Sequence, residues 1–188
     1  MSNDFRWEIR RQTNVAHRGV DQLFSRLEVG QRDGLSNYLM IQLSCFVAMR
    51  GAARVDSVAW ESLTQLAALI RFDLHSLGHE IEPRFQLKSY DTDPLALDYV
   101  IQCSRLSAQI LKLAWQKSSD AEVLRAGAFF SLPIRFDQWH DVCHRLSGIP
   151  VGSPRAHSII DSSGKLFEFF HFALSEFGMR EPCLKVSA

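Results

Sequence analysis

The chain has 188 residues, 46% of them hydrophobic, with 21 basic and 21 acidic side chains. That balance removes any general attraction to nucleic acid or to an anionic membrane, so an anionic ligand needs a local basic cluster. The length suits one domain over 1–188 that buries a core without disulfide or metal staples. The opening Met-Ser-Asn-Asp-Phe-Arg-Trp has no apolar signal-peptide core and no apolar run is long enough for a membrane span, which predicts a soluble, cytoplasmic protein.

Phe5, Ile9, Thr13, Ala16, Val20, Phe24 and Leu27 recur at three- and four-residue steps and predict an amphipathic helix over 4–28. Arg10, Thr13, His17 and Asp21 then share one stripe, with His17 at the edge of the buried face. Taken alone, such a histidine reads as structural, bonded to a backbone carbonyl or to Asp21. Residues 30–34 form a break in which Asp33 is placed to cap a second helix over 35–50, with Leu39, Leu43, Phe46 and Val47 apolar. Asp56 or Ser57 caps a third, whose Val58, Trp60, Leu63, Leu66, Ala67, Ile70 and Leu74 mark one face before Gly78 stops it. After a connecting loop with Pro83, Asp91-Thr92-Asp93-Pro94 supplies an acidic cap and a first-turn proline for a long helix to about Lys117. A short helix over 121–127, a break at Pro133, a helix over 136–146 and a last one over 154–177 complete an all-α chain without strand alternation or internal repeats.

Cys45, Cys103, Cys143 and Cys183 are widely spaced with no C-x-x-C knuckle, which argues for reduced thiols rather than structural zinc or a disulfide scaffold. His140 and His144 stand at i, i+4 but without the glutamate of the H-E-x-x-H motif.

Several segments together give His17 a different meaning. Thr13-x-x-x-His17-x-x-x-Asp21, Phe72-Asp73-Leu74-His75-Ser76-Leu77-Gly78, Asp98-Tyr99-Val100-Ile101-Gln102-Cys103-Ser104-Arg105-Leu106-Ser107-Ala108 with Gln109-Ile110-Leu111-Lys112, Gly127-Ala128-Phe129-Phe130-Ser131-Leu132-Pro133, and Ser163-x-x-x-Phe167 follow one another in order. In order and spacing they resemble the heme oxygenase family, in particular the bacterial biliverdin-forming enzymes, over nearly the whole chain. The first resembles the proximal helix, the second the Asp-Leu-x-x-Leu-Gly end of a middle helix. The third is similar to the distal helix, Tyr-Val-Leu-Glu-Gly-Ser-x-Leu-Gly-Gly in its bacterial form.

The resemblance implies a single-domain heme oxygenase-like helical bundle in which His17 is the axial ligand of heme iron and Thr13 belongs to the same motif. It implies that Arg10 meets a heme propionate, with Arg11, Arg135 and His140 as further rim groups, that Asp21 accepts the second imidazole proton or only solvates the helix, and that Phe167 places a ring against the porphyrin. Tyr99, Cys103, Ser104, Ser107 and Ala108 would form the distal wall, with Ser104 and Ser107 offering hydroxyls to a water chain. Heme is flat and apolar with two carboxylates at one edge, so a site needs a sandwich of helices, a neutral imidazole and cations at the rim. In the family reaction heme is substrate and cofactor, molecular oxygen is consumed, and biliverdin, iron and carbon monoxide leave. With no glycine-rich nucleotide loop and no cysteine cluster in this chain, electrons would come from an external ferredoxin-like or flavin reductase partner, and a bilin-binding photoreceptor is a further implied partner.

The distal segment departs from the family pattern. Cys103, Ser107 and Ala108 replace its glycines, Gln102 replaces its acidic residue, and Ser104 stands where some members carry an aspartate. Glycine lets backbone approach heme closely and lets a helix kink, so these changes predict a stiffer, more crowded wall. Two other readings therefore stand beside the enzyme: a catalytically degenerate heme- or bilin-binding protein, and a helical interaction protein that keeps only the fold.

Overall fold

A computed structural model describes residues 4–79 and 92–178. Helix α1 (Phe5–Phe24) starts where the Asp4 carboxylate accepts the Arg6 N–H at 2.9 Å. It ends four residues short of the expected boundary. Beyond Phe24 the backbone tightens into turns, Arg26 N–H to Leu23 O and Leu27 N–H to Phe24 O, that tuck Leu27 and Val29 into the core.

Helix α2 (Arg32–Ala52) begins three residues earlier than the sequence predicts. Asp33 lies in its first turn rather than at its cap, and Gly34, expected in a break, is helical. The glycine answers a close approach: a Cβ there would collide with the backbone of Glu28. Helix α2 is buried on nearly every side, with Tyr38, Phe46 and Met49 almost wholly enclosed, each such side chain contributing about 1.5–3 kcal/mol of burial.

Helix α3 (Val58–Ser76) is capped by Ser57, which accepts from Trp60 N–H at 3.2 Å. It ends in a Schellman turn: Gly78 sits at φ +82°, its N–H reaches His75 O, and His79 N–H reaches Leu74 O. The loop with Pro83 and the residue Asp91 lie outside the described residues. Helix α4 (Pro94–Trp115) has Asp93 as cap, accepting from Leu95 N–H at 2.8 Å, and Pro94 in its first turn.

Helix α5 (Ala121–Arg125) is capped by Asp120. The four-residue α6 (Ala128–Ser131) was not predicted, because its N-terminus is held from far along the chain: both Asp73 carboxylate oxygens accept from it, Ala128 N–H and Phe129 N–H at 2.8 Å each. Helices α7 (Phe136–Ser147) and α8 (Pro154–Glu176) follow the sequence expectation to within a residue. Among the described residues there is no strand, and no helix is long and apolar enough to cross a membrane.

Helices α2 and α3 pack together, α8 packs against α1, α2 and α4, and α7 closes over α4 and α1. One continuous core takes residues from all eight helices. Its aromatic centre is Tyr38, stacked on Phe130 at 5.6 Å and edge-on to Phe24.

Candidate functional site

The amphipathic pattern of α1 turns Ile9, Thr13, Val20 and Phe24 into the core and leaves His17 at the margin, its side chain 26% exposed. The imidazole stacks on Phe167 of α8, centroids 4.9 Å apart and planes 24° from parallel. Its Nε2 lies 3.4 Å from Ser107 Oγ on α4 and 3.5 Å from an Asp21 carboxylate oxygen. Both contacts are long for hydrogen bonds.

A largely apolar cavity of about 290 Å³ opens beside this imidazole, between α1, α2, α4 and α8. Six of the residues singled out from sequence line it together: His17, Asp21, Ser104, Ser107, Ala108 and Phe167. Exposed Gln22, Ser25 and Ile110 mark its mouth. No lysine or arginine is among the lining residues.

The other expected residues lie elsewhere. Thr13 is buried one turn before His17, where its hydroxyl donates to Ile9 O at 2.9 Å and stands 3.4 Å from Tyr99 OH. Tyr99 stacks on Trp139, and burial pushes its phenol well above the ordinary range. Cys103 is buried away from the cavity, and burial pushes its thiol up to about 12, so it stays protonated. Arg10 is exposed, with its guanidinium 5.9 Å from the Trp7 ring centroid. Arg11 pairs with Glu8, and Arg135 pairs bidentately with Asp137. His140 is exposed and outside the cavity lining. The rim cations expected from the α1 stripe and the α6–α7 region therefore do not converge on His17, because Arg10 lies two turns away along α1 and Arg135 lines a separate hollow.

Sequence reading missed the contribution of α2. Gln42 joins Ser104 to Tyr38: Ser104 Oγ donates to Gln42 Oε1 at 3.3 Å, and Gln42 Nε2 donates to Tyr38 OH at 3.2 Å. Burial raises the Tyr38 phenol far above its usual range, so it keeps its proton. The available signal was a polar pair at i, i+4 inside a helix with apolar residues all round, since buried polar groups are rarely left without a purpose.

No protein-family model matches the chain, and no curated protein matches its sequence.

Proposed function

We propose that this protein is a heme oxygenase-like enzyme: it takes heme into the cavity beside α1 and α4, ligates the iron through His17 Nε2, and cleaves the macrocycle to biliverdin, iron and carbon monoxide. One observation carries the reading. His17 is an imidazole on an apolar cavity, backed by the Phe167 ring, with its Nε2 engaged only at 3.4 and 3.5 Å. Among the described residues no three His, Cys, Asp or Glu side chains gather to hold a metal. A metal held by His17 must then bring its other ligands with it, as porphyrin iron does.

The donor set suits the axial position and the apolar ring. It suits the propionates less, since no cation lines the cavity, and they are left to solvent at the mouth beside Gln22 and Ser25. The volume, about 290 Å³, falls just below the range of ligand pockets, about 300 to 1,000 Å³. Entry of the macrocycle therefore requires His17 to release Ser107 and α1 to separate from α4.

Bound heme would supply the redox iron and the ring to be opened, using molecular oxygen and electrons from an external ferredoxin-like or flavin reductase partner. The chain itself supplies position. Phe167 fixes the imidazole plane, and the Asp21 carboxylate, 3.5 Å from the same Nε2, would have to give way with Ser107 when that nitrogen takes a ligand. Ser107, freed from His17, presents a hydroxyl on the opposite wall. Ser104 is oriented through Gln42 and Tyr38. This chemistry belongs in the cytoplasm, with a bilin-binding photoreceptor as one recipient of the product.

A second reading, heme or bilin binding without turnover, draws on α4, which runs unbroken from Pro94 to Trp115 without a glycine. Hemin titration of the purified protein, followed by an electron donor under oxygen, separates the two. Appearance of biliverdin supports the enzyme, a stable heme complex supports the binder, and failure to bind either hemin or, in a parallel titration, biliverdin refutes both.

A further inference from the structure

On the other side of α4 from the His17 cavity, Arg105 is 5% exposed yet has no carboxylate partner among the described residues. Its terminal nitrogens donate to Leu132 O at 2.7 Å and Phe129 O at 3.3 Å, and its guanidinium lies 4.9 Å from the Phe129 ring centroid. These contacts hold the end of α6. A guanidinium carries five N–H donors, so three have no acceptor shown among the described residues. Two carbonyl dipoles and a ring face do not neutralise a full buried charge, which ordinarily is paired. Burial accordingly lowers the affinity of Arg105 for its proton.

Arg105 lines a hollow of about 210 Å³ between α3, α4 and the α6–α7 connection. Its other polar walls are Ser62, Gln65, Gln102, Gln138 and Arg135. The amides of Gln102 and Gln138 meet at 3.4 Å, a weak contact that either can exchange for a stronger acceptor. No Asp or Glu lines the hollow, and Asp137, which pairs with Arg135, is outside it. The wall thus offers Arg105, three amides and a hydroxyl without a carboxylate of its own; Arg135 is already paired with Asp137, and Ser62, Gln102 and Gln138 also border the neighbouring hollow that holds Asp98, Asp137 and Asp141.

We propose that this hollow is a binding site for a small oxoanion, a phosphate or carboxylate group, with Arg105 as its buried counter-charge and the Gln102, Gln138 and Ser62 side chains as polar partners. The site is independent of the heme reading. Both terminal nitrogens of Arg105 already hold a backbone carbonyl, so an anion would be met by the N–H groups left over, and exposed Gln65 and Arg135 give access from solvent. Free inorganic phosphate and a small carboxylate share this chemistry.

The test is a titration of the full-length, ¹⁵N-labelled apo protein with inorganic phosphate, and separately with acetate, at constant ionic strength set with sodium chloride. The readout is the Arg105 Nε–H resonance, assigned with Arg105→Lys. The site predicts a saturable shift with one or both anions and none with chloride; the tighter of the two identifies the ligand class. Gln138→Leu, at a half-exposed position that leaves the core intact, should weaken that binding several-fold. Absence of saturation with either anion would reduce Arg105 to a clamp on α6 and overturn the proposal. So would a saturable shift that Gln138→Leu leaves at full affinity, because the anion would then lie elsewhere.

Discussion

His17 Nε2 and Ser107 Oγ face one another at 3.4 Å across the gap between α1 and α4, and the atom that meets Ser107 is the one the proposed heme reading takes as iron ligand. On the proposed reading, heme would have to displace this contact. A typical intramolecular hydrogen bond contributes about 0.5–1.5 kcal/mol, and one this long belongs at the low end. Ser107→Ala should therefore leave the stability of the apo protein nearly unchanged and hold or tighten hemin affinity, measured by urea denaturation and absorbance titration. A hemin complex weakened tenfold or more would show that Ser107 supports the ligand instead of competing for His17.

Of the three positions where the resemblance would place glycine, Ser107 and Ala108 line the cavity, while Cys103 is packed away from it. The double substitution Ser107→Gly/Ala108→Gly should raise biliverdin formation while lowering helix stability by about 1–2 kcal/mol. Cys103→Gly should lose stability with no gain in rate. Equal gains from both would mean that the whole helix, rather than its lining face, limits turnover.

Charge at the cavity mouth gives a separate prediction. No cation lines the cavity, and Arg10 is engaged beside Trp7, so Arg10→Glu and Arg11→Glu should affect hemin affinity similarly and weakly. Gln22→Arg, at the exposed mouth, should tighten hemin binding in a manner that added salt erodes. A selective loss in Arg10→Glu would bring the propionates to the N-terminal half of α1.

Asp73 ties α3 to α6, and Asp73→Ala should destabilise the protein by about 1–3 kcal/mol because two backbone N–H groups lose their acceptor. Burial holds this carboxyl above its ordinary range, against the pull of the Phe129 and Ala128 N–H groups. The folded state keeps the proton to higher pH than the unfolded chain, so the contribution of Asp73 to stability falls as pH rises from the unfolded value, about 4, through the raised folded one. The stability gap between wild type and Asp73→Asn should narrow with pH across that window in denaturation curves. A widening gap would mean that the N–H groups outweigh burial.

The parts of the fold legible in sequence are those governed by near neighbours. Ser57, Asp93 and Gly78 cap or stop helices through bonds that span a few residues, and the spacing on α1 suffices to set His17 at the edge of the core. Gly34 and α6 were opaque because their causes are distant: the backbone of Glu28 pressing on one, the Asp73 carboxylate holding the other. In the cavity, the α1, α4 and α8 residues were legible as a group, whereas Gln42 and Tyr38 lie on a helix whose apolar surroundings gave no single face to read. The stripe places Arg10 two turns along α1 from His17, and neither it nor Arg135 is among the residues that line the cavity.

The axial role of His17 is tested most directly by the absorbance spectrum of the hemin complex of His17→Ala, recorded with and without added imidazole. The wild type should form a stoichiometric, histidine-ligated complex, the variant should lose that spectrum, and imidazole should restore it by occupying the space that the side chain leaves beside Phe167. A variant that binds hemin with the wild-type spectrum in the absence of imidazole would contradict the assignment and return His17 to the role of a core-edge residue bonded to Ser107 and Asp21.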